Sequence, residues 1–251
     1  MSRPGTVGAI LAIDIGATTI KLGEVNPDGV LIGAVERRAT PYPCTPDRLV
    51  DEVAAEIRAR RFARVGVGFP GDFGGGVVLE PGNLARPGGF ASEVDAAIDD
   101  AWRGFNLQDE LRRASGRDVR VVNDATLAAL GCCEGAGREL VCTLGTGFGI
   151  ALVVDGAPVR IRDVGAEVYV DGGTYDQLLG EHARAADETR WSQLLRAAAA
   201  NFAEEFAVGI VHLGGGNARR VDLAWFAGRA FTVVLNDNDA SLRGAARLFA
   251  T

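Results

Sequence analysis

The run Asp14-Ile15-Gly16-Ala17-Thr18, with Lys21 just beyond it, brings a carboxylate, a tight turn, a hydroxyl and an ammonium into one short stretch. Backbone N–H groups of such a turn and the Thr18 hydroxyl can face an anion while Asp14 holds a cation, although an ordinary hairpin with a turn aspartate has the same composition. Leu144-Gly145-Thr146-Gly147-Phe148-Gly149 offers a second cradle, with glycines that admit close backbone approach and the Thr146 hydroxyl as a donor. A third loop, Leu213-Gly214-Gly215-Gly216-Asn217, can lay glycine backbone flat against a nucleobase or serve as a plain turn. Asn123-Asp124 supplies a carboxylate able to accept a proton from a substrate hydroxyl, and equally a pair of favoured helix N-caps. Each piece alone is weak. In this order they describe two glycine loops closing on one polyphosphate beside a candidate base, which is the equipment of phosphoryl transfer.

The elements that must position these residues repeat. Apolar runs over 9–15 and 18–25, a turn at Asn26-Pro27-Asp28-Gly29 and a run over 30–35 predict a three-strand meander. Leu49, Val50, Val53 and Ile57 recur at helical spacing behind Pro46, and residues 64–69 then predict another strand. A glycine- and proline-rich loop over 71–89 precedes a helix marked by Val94, Ile98, Ala101 and Trp102, with Ser92 as its expected cap. The order then restarts with a strand at 119–122, a helix at 125–134 and strands at 140–144, 150–154 and 158–161. Gly16-Ala17-Thr18 with Asp28-Gly29 thus corresponds to Gly145-Thr146-Gly147 with Asp155-Gly156. A helix through Trp191, Leu195, Ala198 and Phe202, strands at 210–213 and 232–235 and a closing helix at 239–249 complete the chain. The expected division is an N-terminal α/β lobe over 1–122 and a C-terminal α/β lobe over 123–251, with the closing helix free to pack back on the first.

Composition narrows the function. With 251 residues, 47% of them hydrophobic and 24% charged, the chain has the balance of a folded soluble protein, and its 34 glycines are about twice the usual share. A net charge of -7 opposes general binding to nucleic acid or an anionic membrane, so any phosphate site must be local. Cys44, Cys132, Cys133 and Cys142 lack the paired spacing of zinc sites, and only His182 and His212 could add to them, so no zinc site and free thiols are expected. Neither a signal peptide nor an apolar run of about 20 residues is visible, which points to the cytoplasm. Lys21 is the only lysine.

The ordered set of Asp14-Ile15-Gly16-Ala17-Thr18 with Lys21, Gly68-Phe69-Pro70-Gly71, Asn123-Asp124, Thr143 through Gly149 and Gly214-Gly215-Gly216-Asn217-Ala218 resembles the ROK sugar kinases. It is most similar to the short branch that contains polyphosphate glucokinases, with Gly173-Thr174-Tyr175-Asp176, Gly180 and Asn236-Asp237 adding to the likeness. The resemblance implies α/β architecture with two actin-like, ribonuclease-H-type lobes and a central cleft. It implies Asp124 as the general base on a distal hexose hydroxyl, and Asn123, Asp163 and Gly71 on the sugar. Asp14 would sit near Mg²⁺, through water. Gly16, Thr18, Lys21, Gly145, Thr146 and Gly147 would surround the phosphates, and Gly214, Gly215 and Gly216 the adenosine of ATP. Donor (ATP, polyphosphate or both), Mg²⁺, a small sugar substrate and a homodimer follow from the same likeness.

The departures bear on substrate. Family members read the sugar with a Glu-x-Gly-His element, and here Asp163-Val164-Gly165-Ala166 stands in its place, without the histidine. The zinc cysteines of many members are missing, and the second glycine of the first phosphate motif is Ala17. Plain glucose is therefore expected to be a poor substrate, and a hexose derivative altered at C1 or C2 a better one. A sugar-binding regulator without catalytic power is the alternative. The DNA-binding domain of ROK repressors has no room ahead of the first strand.

Overall fold

The computed structural model describes residues 8–250, and two compact units divide it. In the first, β1 (Ile10–Ile15), β2 (Thr19–Val25), β3 (Leu31–Ala39), β4 (Arg64–Phe69) and β5 (Asp118–Asn123) form a sheet in the order β3-β2-β1-β4-β5. Strands β1, β4 and β5 run parallel, while β2 is antiparallel to both of its neighbours. In the second, β6 (Arg138–Leu144), β7 (Phe148–Val154), β8 (Ala157–Val159), β9 (Ile210–Gly214) and β10 (Thr232–Leu235) take the order β8-β7-β6-β9-β10 with the same directions. The two orders are identical once renumbered. The repeat read from the sequence is thus a repeated α/β sheet of the actin-like, ribonuclease-H type.

Each sheet is covered by helices whose sequences dictate the seating. Helix α1 (Pro46–Arg58) starts on a proline, whose missing N–H costs nothing at that position, and buries Leu49, Val50, Val53 and Ile57 against the first sheet. Helix α2 (Ala96–Trp102) is capped by Asp95, which accepts from the backbone N–H of Ala97 and Ile98, and not by Ser92. Ser92 is instead held in a turn with Gly88 and Gly89. The expected loop at 71–89 contains a small hairpin, Asp72–Gly74 with Val77–Glu80, and the unforeseen α3 (Leu107–Ser115) buries only Leu107, Leu111 and Ser115. Helix α4 (Asp124–Cys132) follows β5 directly. In the second unit, α5 (Tyr175–Leu179), α6 (Glu181–Ala186) and the long α7 (Glu188–Glu205) lie between β8 and β9, and Trp191, Leu195 and Phe202 of α7 fill the core.

The unit boundary falls after Leu127, inside α4, instead of after residue 122. Residues 241–250 belong to the first unit, as their apolar periodicity allowed, but they form only the short α8 (Ala240–Gly244) and a 3-10 turn at Arg247–Phe249. Leu242, Ala245, Ala246 and Phe249 pack with Ile10, Ala12, Val25 and Leu127 on the sheet face opposite α1. A side chain at Gly66 would put a Cβ 2.6 Å from that of Ala245, so β4 is reduced to backbone there to let the segment sit close. Among the described residues no helix is long and apolar enough to cross a membrane.

Candidate active site

In the first unit the register of the sheet sets Asp14 opposite Lys21 on β2 and Gly68 on β4. Asp14 is 8% exposed, and its Oδ2 accepts from Lys21 Nζ at 3.0 Å and from Ser241 Oγ at 2.6 Å. Lys21 therefore directs at least one N–H at a carboxylate as well as lending its charge to the neighbourhood. A Cβ on Gly68 would lie 3.0 Å from Leu127 Cδ2 and 3.3 Å from both Asp14 Oδ1 and the Asp124 Cα, so the glycine lets the Asp14 side chain and the backbone at the start of α4 approach each other. The loop between β1 and β2 is braced from behind. Thr40 Oγ1 donates to Gly16 O at 2.7 Å, Thr40 N to Thr18 O, and the Tyr42 hydroxyl to Ala17 O at 2.6 Å. Burial pushes the Tyr42 phenol up to about 12, which keeps it a donor.

Asn123, not Asp124, caps α4. Its Oδ1 accepts from Thr126 N at 3.0 Å, and its Nδ2 donates to Gly71 O at 2.8 Å, so both ends of the amide are engaged in holding the backbone. Asp124 occupies the first helical position, half-buried, with Oδ1 on the N–H of Ala125 at 2.7 Å. Asn123 thus caps the helix through Thr126, while Asp124 holds the first-turn N–H of Ala125. Gly71 has φ of 127° and a Cβ there would meet Glu80 O at 2.3 Å, so its glycine is demanded by backbone approach.

In the second unit the second and third glycine loops are one constellation. Asn217, 7% exposed, donates from Nδ2 to Gly145 O at 3.3 Å, accepts from Arg184 Nε at 3.0 Å, and sends its own N–H to Leu144 O. Gly215, at φ of 87°, is tucked against the same Leu144 carbonyl, and the Glu181 N–H also reaches Gly145 O at 2.9 Å. Asp176 is a brace that sequence reading noted only as familiar. Its Oδ1 accepts from Phe148 N at 2.7 Å, and Cβ atoms on Gly147 or Gly165 would fall 2.3 and 2.9 Å from that oxygen. Asp163-Val164-Gly165-Ala166 is thereby held beside the Gly145-Thr146-Gly147 loop. Asp163 Oδ1 accepts from Gly165 N at 2.9 Å, Ala166 is exposed, and Glu167 is ion-paired to Arg162.

Gly145 and Gly216 differ from their neighbours. A Cβ on either would meet nothing within 4 Å, and neither has a left-handed backbone, so no part of the protein requires glycine there. Such positions leave room for something that is not protein.

One buried cluster has the donor atoms of a metal site. Cys133, Glu139 and His212 bring a thiol, a carboxylate and an imidazole within 4.8 Å of one another. The donors are nevertheless engaged: Glu139 accepts from the N–H groups of Glu134 and Gly135 and lies 2.8 Å from His212 Nε2, and Asn236 Nδ2 lies 3.2 Å from His212 Nδ1. Burial would raise the Glu139 carboxyl, but the N–H of Glu134, His212 and the N–H of Gly135 outweigh it and hold the group below its ordinary value of 4.5. A lowered carboxyl contributes stability that is present above the unfolded value and lost as pH falls through the lower folded one. Glu139→Ala, which removes the acceptor of the Glu134 and Gly135 N–H groups and the neighbour of His212 Nε2, is expected to cost about 1–3 kcal/mol in urea unfolding at pH 7. The deficit relative to wild type should shrink as the pH falls below the ordinary glutamate range.

A family model described as ROK family matches residues 10–163. The glucokinase of Streptomyces coelicolor is 29% identical over 157 residues, covering 59% of this chain and 44% of that protein. The N-acetyl-D-glucosamine kinase of Photobacterium profundum is 33% identical over 158 residues, covering 57% and 45%. The match therefore spans about half the length of these curated relatives. The crystal structure of an inorganic polyphosphate/ATP-glucomannokinase from Arthrobacter sp. strain KM superposes with a TM-score of 0.76 and 31% identity, covering 96% of this chain and 98% of that one.

Proposed function

The chain belongs to the ROK family, and from that premise and the geometry of its loops we propose that it is a hexose kinase, with Asp124 as the general base on a distal sugar hydroxyl. The observation that carries the proposal is the pair Gly145 and Gly216, glycines with open space where a Cβ would be, fixed to each other's loops by Asn217. Glycines without a Cβ let a phosphate approach the loop backbone closely, in a turn that the Gly145 N–H closes on Gly147 O at 3.1 Å. Gly145, Thr146 and Gly147 grip the transferred phosphates, and Gly214, Gly215 and Gly216 carry the adenosine when the donor is ATP. Gly16 and Thr18 are assigned to phosphate on the family likeness, in a turn that the Gly16 N–H closes on Thr19 O at 3.0 Å.

Asp124, whose Oδ1 is oriented by the Ala125 N–H at the head of α4, accepts the proton as the hydroxyl oxygen attacks. Asn123 orients the sugar through the Gly71 loop that it braces. Asp14 fits a hydrated Mg²⁺, because Lys21 and Ser241 both donate to Oδ2 and leave Oδ1 to accept from a water of the ion. The ion when bound supplies neutralisation of developing phosphate charge. Lys21 adds to the same positive field.

The sugar is expected to be a hexose altered at C1 or C2, because Ala166 offers no hydrogen bond and Asp163 turns its Oδ1 onto Gly165 N. The family likeness to an N-acetyl-D-glucosamine kinase supports a substituted C2. The test is a matrix of hexoses and hexose derivatives against ATP, GTP and polyphosphate with Mg²⁺, scored for sugar phosphate. Ala166→His should shift kcat/KM toward glucose by about tenfold or more. Efficient glucose phosphorylation by the wild type refutes the C1 or C2 expectation. Sugar binding with no transfer from any donor favours the regulator instead.

A further inference from the structure

Ser241 lies far in sequence from the Asp14 motif, yet its hydroxyl donates to Asp14 Oδ2 at 2.6 Å, closer than Lys21 Nζ at 3.0 Å. Both partners are buried, at 5% and 8% exposure, and the sequence distance between them is 227. We propose that Ser241 is a positioning residue for phosphoryl transfer: with Lys21 it locks Oδ2 of Asp14, so that Oδ1 is the oxygen presented to the hydrated cation of the donor. The inference rests on the kinase assignment.

The geometry leaves little freedom. A carboxylate hinged only by Lys21 can rotate about its Cβ–Cγ bond and exchange its oxygens, since an ammonium on a long stem follows either one. A second donor on a short, buried side chain removes that option. Ser241 cannot follow, because Leu242 and Ala245 next to it are wedged against Gly23 and Gly66, where Cβ atoms would lie 3.0 Å from Leu242 Cδ1 and 2.6 Å from Ala245 Cβ. The tight seating of α8 on the sheet thus has a consequence beyond packing. It fixes a hydroxyl whose position sets the direction of the other Asp14 oxygen, which lies beside the Gly68 backbone.

Three measurements on full-length Ser241→Ala and Ser241→Thr decide it. Ser241→Ala should lower kcat about tenfold and raise the Mg²⁺ concentration needed for half-maximal rate severalfold, while the sugar KM stays within about twofold. Electron paramagnetic resonance of Mn²⁺ with a non-hydrolysable ATP analogue should show a matching severalfold loss of affinity. Ser241→Thr, which restores a hydroxyl, should recover most of both, a result that loss of packing alone would not give. The proposal is overturned if Ser241→Ala keeps wild-type kcat and Mn²⁺ affinity, if Ser241→Thr fails to rescue, or if the wild type takes up no Mn²⁺ complex. Should no sugar and donor pair give turnover in the wild type, the kinase assignment fails, while the Mn²⁺ titration still decides the role of Ser241.

Discussion

Asp124→Asn is expected to lower kcat by about 10² to 10⁴, the usual range for loss of a general base, with thermal unfolding and direct sugar binding near wild type. The amide keeps an oxygen for the Ala125 N–H, now met at 2.7 Å by Oδ1, and the cap on Thr126 belongs to Asn123 and is untouched. What disappears is the capacity to take a proton from the attacking hydroxyl. Steady-state kinetics with saturating sugar and donor, paired with calorimetric sugar binding, separate the two roles. A variant with near-full kcat on every sugar assigns Asp124 to structure alone.

Gly145→Ala is expected to lower kcat/KM for the donor by about 10² while the protein folds normally. A Cβ there meets no protein atom within 4 Å, so the fold offers no objection, and the only thing displaced is what approaches from outside. Gly147→Ala is the contrasting control. Its Cβ would fall 2.3 Å from Asp176 Oδ1, which is overpacking against a braced carboxylate and should cost roughly 1–3 kcal/mol of stability. Urea unfolding should separate the two variants, with only Gly147→Ala losing stability, while donor titration should weaken for both. A Gly145→Ala protein with unchanged donor kinetics removes the loop from the phosphate site.

The strands of both sheets were legible because long apolar runs end in turn residues, and the repeat of Asp28-Gly29 by Asp155-Gly156 made the duplicated order visible. Helix α3 was not, since Leu107 and Leu111 give it only one buried leucine per turn among charged residues. The closing segment read as one long helix from its apolar spacing, but close packing on Gly23 and Gly66 favours two short pieces. The glycine motifs of the site could be named from sequence, whereas their mutual bracing could not. Asp176 looks like an ordinary first-turn acid until it is found over Gly147, and Ser241 carries no local signal at all. Contacts across hundreds of residues are fixed by sheet order, which short-range patterns do not encode. For Asn123-Asp124 the residues alone allowed either a base or an N-cap, and the hydrogen bonds give the cap on Thr126 to Asn123.

The return of residues 241–250 to the first unit also has a consequence for how the protein is made. The sheet face around Ile10, Ala12 and Gly66 is covered by a segment synthesised only after all of residues 128–240. At about 5–20 residues per second, the first unit waits on the order of ten seconds on the ribosome with that apolar strip bare. The second unit is contiguous and can close as it emerges. Assembly from nascent chain therefore finishes with the half that was begun first, and the interval is when this protein most needs a holding chaperone.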